Sequence, residues 1–88
     1  MRVIKQLIKR EIAGDVILVP VGKTVLENNG LFILNEVSAD IWDMLNQGKD
    51  FEQIVQTLAE TYDADMETIR ADTEEFLANL EKMGILQR

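Results

Sequence analysis

The chain has 88 residues and carries nine Lys and Arg against sixteen Asp and Glu, a net charge of −7 with no His. That length makes one small domain with a modest core, and an apolar fraction of 47% beside 28% charged residues argues against disorder. With no Cys there is no disulfide framework or thiol chemistry, and without His the commonest general base is missing.

The charge is uneven. Residues 1–35 hold five basic and three acidic side chains, a net +2; residues 36–88 hold four and thirteen, a net −9. An acidic half repels phosphates, so nucleic acid is a poor partner and a peptide or protein a better one. No apolar run approaches the ~18 residues of a membrane span. The N-terminal stretch MRVIKQLIKREIAG lacks the apolar core of a signal peptide. The expected location is the cytoplasm.

The first half reads as strand. EIAGDVILVPVG is rich in β-branched residues and broken by Gly14 and Pro20; Pro20 cannot donate to a ladder, so that strand lies at an edge or ends there. Gly22-Lys23 is a turn candidate, and TVLE a short strand. Asn29-Gly30 is a favoured pair for a two-residue type I′ hairpin, which would join Thr24–Asn28 to Leu31–Leu34. A three-stranded antiparallel sheet is predicted. In GLFILN, Leu31 and Ile33 alternate with Phe32 and Leu34, so both faces of the last strand are apolar. Something must cover the second face: the N-terminal residues with Val3, Ile4, Leu7 and Ile8, a second copy, or a partner.

From Asn35 the period becomes helical. Asn35 or Ser38 caps a first helix carrying Val37, Ile41, Met44 and Leu45, with Trp42 beside them, and Gly48 stops it. Trp42 reads as core, with ligand stacking as the rival. Asp50 with Gln53 forms a capping box for a second helix whose apolar face is Phe51, Ile54, Val55 and Leu58. The third helix places Met66, Ile69, Thr73, Phe76, Leu77, Leu80 and Met83 on one stripe, and Gly84 ends it with Ile85 folding back on Leu80. Arg70 either bridges Glu67 or Glu74 or meets a partner's carboxylate. The predicted class is α+β, a winged-helix-like three-stranded sheet followed by a three-helix bundle, in a single domain spanning 1–88 with residues 1–9 as an extra segment.

No catalytic motif emerges. DADMETIRADTE offers Asp63, Asp65 and Glu67 at calcium-loop positions 1, 3 and 5, but Thr68 stands where that loop needs Gly, and its second half is the amphipathic helix. A solvated acidic face is the better reading. No phosphate-binding glycine pattern is present. An enzyme is not expected, nor a cofactor.

The run EIAGDVILVPVG…GLFILNEVSADIWDMLNQGKDFEQIVQTLAETYDAD…IRADTEEFLANLEKMGIL resembles the PqqD-like family across roughly residues 10–86. The matching pieces are Leu34–Glu36, Ile41–Trp42, Glu52–Asp63, Asp72, Phe76–Leu80 and Gly84–Leu86. The resemblance implies a peptide-recognition element of ribosomally made, modified peptides. Such a module holds the leader of a precursor peptide and presents its core to a modifying enzyme, often a radical S-adenosylmethionine enzyme. For PqqD itself the product is pyrroloquinoline quinone. It further implies that the leader adds as a strand beside the third strand, in a groove against the third helix. Transferred here, the strand is Leu31–Leu34, with Leu31, Phe32, Ile33 and Leu34 as peptide-binding residues, and the helix is about Met66–Met83. On that helix Arg70, Thr73 and Leu77, which lie to one edge of the core arc at about 100° per residue, are the groove candidates. The alternatives are a winged-helix DNA-binding protein and a homodimerisation module.

Overall fold

The structure, a computed structural model, describes residues 1–22 and 32–88. The strands are β1 (Arg2–Val3), β2 (Leu7–Ile12), β3 (Asp15–Pro20) and β4 (Phe32–Leu34). The helices α1 (Glu36–Asn46), α2 (Phe51–Tyr62) and α3 (Met66–Lys82) follow, then β5 (Leu86–Gln87). The sheet is antiparallel in the order β2-β3-β4, and a separate ribbon pairs β1 with β5. The expected α+β class and the three-strand, three-helix order are present.

The membership of the sheet differs from expectation. EIAGDVILVPVG is not one strand but a hairpin turning at Ala13-Gly14, whose φ values of 52° and 88° close Ile12 against Asp15. Two successive positive φ values are what a two-residue type I′ turn requires. The N-terminal residues therefore do not lie across the sheet as a cover. Leu7–Ile12 is one of its strands, and Val3 pairs with Leu86 in the terminal ribbon. Lys9 reaches from β2 to Asp43 of α1 at 2.7 Å, tying strand to helix. Pro20 sits at the last position of β3, where its missing N–H leaves the ladder intact. β4 pairs with β3, Leu34 opposite Val16 and Ile33 opposite Ile17. The strand and turn expected over Thr24–Gly30, and Leu31, lie outside the described residues.

The helices begin where their caps predict. The Asn35 side chain accepts from the Ser38 N–H, and Asp50 and Gln53 close a reciprocal capping box. α3 ends in a Schellman turn: Gly84, at φ +70°, donates to the Glu81 carbonyl and Ile85 to that of Leu80. Only glycine holds that φ at no steric cost. Between sheet and helices lies one core, including Leu18, Leu34, Ile41, Trp42, Ile54, Leu58, Phe76, Leu77, Leu80 and Ile85. Trp42 is thus a core residue. Met66, expected on the apolar stripe, is exposed in the first turn of α3, beyond the reach of the core.

Candidate functional site

Alternation along the ladder fixes the two faces of the sheet. Opposed residues share a face, so Leu7, Val16, Leu18 and Leu34 face the helices, and Ile8, Arg10, Ile12, Ile17, Val19 and Ile33 face away. Leu34 is buried and Ile33 is 65% exposed. The apolar second face inferred from GLFILN is real, and it extends across the sheet through the exposed Ile8 and Ile12.

β4 has β3 on one side, and among the described residues no strand pairs with its other side. A free strand edge presents unpaired N–H and C=O groups to an added chain. Immediately beyond β4, at the start of α1, opens a cavity of about 290 Å³. Its walls are Asn35, the cap of α1, with Val37, Ser38 and Ile41 from α1 and Asp72, Glu75, Phe76 and Asn79 from α3. Val37, Ile41 and Phe76 give it an apolar part, while Asp72 and Glu75 make one wall acidic. Asn35 and Ser38 are satisfied by each other, since the Ser38 hydroxyl donates to Asn35 Oδ1 at 2.7 Å.

The α3 residues singled out from the sequence lie elsewhere. Thr73 and Leu77 are fully buried, and among the described residues the Thr73 hydroxyl has no hydrogen-bond partner. Arg70 turns toward α2, where its guanidinium donates to both carboxylate oxygens of Glu52 at 2.6 and 2.7 Å. The expected bridges to Glu67 or Glu74 do not form, because a fork-shaped pairing across the α2–α3 seam gives better geometry than a neighbour on the same helix. Arg70 holds the Glu52 carboxyl below the usual carboxylate range, chiefly through that hydrogen bond. Glu74 is taken instead by Arg88, at 2.7 and 2.8 Å, and its carboxyl is likewise lowered. The cavity lies one helical step away, on the Asp72–Phe76–Asn79 stripe. The i, i+4, i+7 spacing of those three residues was the available signal.

A second hollow of about 370 Å³ lies between α1 and α2, lined by residues including Asp40, Asp43, Lys49, Thr57 and Thr61. Its acids are already engaged, Asp43 by Lys9 and Asp40 by the Tyr62 hydroxyl. That hydroxyl donates to Asp40, which with burial pushes the Tyr62 pKa up to about 12. This hollow does not adjoin β4. Among the described residues, no cluster of acidic side chains is placed to hold a metal ion, and no helix is long and apolar enough to cross a membrane.

A three-stranded antiparallel sheet feeding three helices, with a groove where its edge strand runs into the first helix beside the last, defines a winged-helix-like α+β module. The family model described as coenzyme PQQ synthesis protein D (PqqD) matches residues 16–86, and the chain belongs to that family. No curated protein sequence matches it. Among solved structures it is similar to TbiB1 in complex with the TbiA(β) leader peptide. The TM-score is 0.77 and the identity 26%, over 99% of this chain and 95% of that one.

Proposed function

We propose that this protein is a noncatalytic peptide-binding adaptor that captures the leader of a ribosomally made precursor and hands it to a modifying enzyme. The observation that carries the reading is the adjacency of the β4 edge, unpaired among the described residues, to the partly apolar groove between α1 and α3. Main-chain bonds to an added strand supply affinity, and alternate side chains entering the groove supply specificity. Family membership and the likeness to TbiB1, which was determined with a leader peptide bound, support it.

On this reading Phe32, Ile33 and Leu34 offer the backbone edge. Val37, Ile41 and Phe76 receive a leader side chain. Arg70, Thr73 and Leu77 stand behind the groove as seam and core rather than in it. The enzyme partner is a radical S-adenosylmethionine enzyme or another peptide-modifying enzyme, as the family resemblance implies. Tethering raises the local concentration of the core peptide, and a leader affinity near micromolar, about −8 kcal/mol, suffices.

The test uses peptides selected by the wild-type protein from a displayed random library. Replacing Ile33 by Pro, which removes a backbone N–H from β4, abolishes binding of those peptides while the helical circular dichroism persists. Unchanged affinity in Ile33→Pro rules out strand addition at this edge. A second reading, self-association, rests on the outer sheet face, where Ile8, Ile12 and Ile33 are exposed beside Ile17, itself only 6% exposed. Sedimentation between micromolar and millimolar concentrations distinguishes a dimer from a monomeric adaptor, and the two readings are compatible.

A further inference from the structure

We infer that the groove selects leaders carrying a lysine or arginine close to their apolar anchor, with Asp72 and Glu75 as the residues that receive the cation. This inference rests on the peptide-binding reading above and adds to it the chemistry of the guest.

Arg88 lies against Glu74 and Glu81, at 2.7 and 3.2 Å, and Arg70 against Glu52 at 2.6 Å. Each of these arginines serves a carboxylate outside the groove. Asp72 and Glu75 are exposed, face the cavity, and form no ion pair among the described residues. None of the eight residues lining the cavity is basic. Three residues apart on one helix face, the two carboxylates repel each other, and a guest cation relieves that. The apolar part of the same cavity keeps this wall from being merely a solvated acidic surface. Val37, Ile41 and Phe76 form a floor, and Phe76 is only 8% exposed. A long cationic side chain suits such a mixed wall, because its methylenes lie on apolar surface while its head reaches the carboxylates.

Spacing sharpens the inference. A guest strand running along α3 advances about 3.3 Å per residue and sends alternate side chains the same way, so residues two apart are ~6.6 Å apart on one face. Asp72 and Phe76 are four residues apart on α3, or ~6 Å along its axis. A guest whose apolar anchor sits over Phe76 therefore places its residue two positions away over Asp72. The expected signature is an apolar residue and a Lys or Arg separated by one residue.

The experiment is selection from a displayed library of random 15-residue peptides against the wild-type protein and against Asp72→Asn/Glu75→Gln. Both sites are exposed, and the replacements keep size and helix position, so the fold is retained. Wild type is expected to enrich peptides with the apolar–x–basic pattern, and the double variant to enrich apolar peptides without the basic preference. A selected peptide is expected to bind the double variant about 2- to 25-fold more weakly, from about 1.5- to 5-fold per exposed ion pair. That loss should shrink when salt is raised to 0.5 M. If wild type enriches peptides that protect the β4 amides but show no excess of Lys or Arg, the cation inference is overturned and the adaptor reading stands. If no peptide is enriched at all, both fall together.

Discussion

Val37 lies in the first turn of α1, is half-buried, and forms one of three apolar walls of the groove with Ile41 and Phe76. Replacing it by Gln leaves the helix start intact, since Gln is a good helix former and Asn35 still caps it. The effect on binding follows from what the groove does to a guest side chain. Burying a Leu- or Phe-sized anchor contributes ~1.5–3 kcal/mol; shared among three walls, Val37 accounts for roughly 0.5–1 kcal/mol of that. An amide turned toward the anchor adds an imperfectly solvated polar group, at ~1–2 kcal/mol. Together these give ~1.5–3 kcal/mol, an affinity loss of about 10- to 150-fold. The assay is fluorescence anisotropy with a labelled peptide selected on the wild-type protein, beside Ile12→Gln, an exposed outer-face control remote in sequence from both β4 and the groove helices. A Val37→Gln protein with native circular dichroism that binds within twofold of wild type would refute the assignment of the groove.

Three further outcomes test the fold that builds this site. Ala13 is held at φ 52°, a region that disfavours residues bearing a Cβ. Ala13→Asn, which creates the preferred Asn-Gly turn pair, should raise stability by ~0.5–1 kcal/mol, visible as a higher Tm; a lower Tm contradicts the Ala13-Gly14 hairpin. Thr73 carries a buried hydroxyl without a partner among the described residues, so Thr73→Val should stabilise by about 1 kcal/mol, or ~4–8 °C in Tm. A destabilised variant would mean that hydroxyl is bonded. Tyr62 donates to Asp40 and its pKa is pushed up to about 12 by that bond and by burial. A raised folded pKa gives stability that is complete below the ordinary value near 10 and is lost as pH rises toward 12. Wild type should therefore lose stability over that window by more than Tyr62→Phe does, and parallel curves would disprove the link.

The helices were legible because each carries its own punctuation. Asn35, the Asp50–Gln53 box and Gly84 mark termini by local hydrogen bonding, which does not depend on distant packing. The sheet was less legible. β2 is LIKREI, and its central Lys9, Arg10 and Glu11 interrupt the apolar alternation that signals a strand. What holds β2 in place is its hairpin register with β3 and the long-range Lys9–Asp43 bridge. The Ala13-Gly14 turn was hidden for a related reason, since Ala does not advertise positive φ. The last strand was legible as an edge with two apolar faces, and Leu34 inside with Ile33 outside follows from its alternation. Which flank of α3 opens beside it was not. Thr73 and Leu77 sit close to the core arc in helical projection, and the packing of α2 against α3 turns them fully inward while Asp72, Phe76 and Asn79 border the gap. That choice belongs to helix packing, which the periodicity of one helix does not encode.

The central claim is that an extended guest completes the sheet at β4. Amide hydrogen exchange, followed residue by residue with and without a selected peptide, tests it most directly. The account predicts slowed exchange at amides within 32–34 on peptide addition, with those of β2, at the far edge of the sheet, unchanged. Equal exchange of the β4 amides in the free and peptide-saturated protein would contradict it.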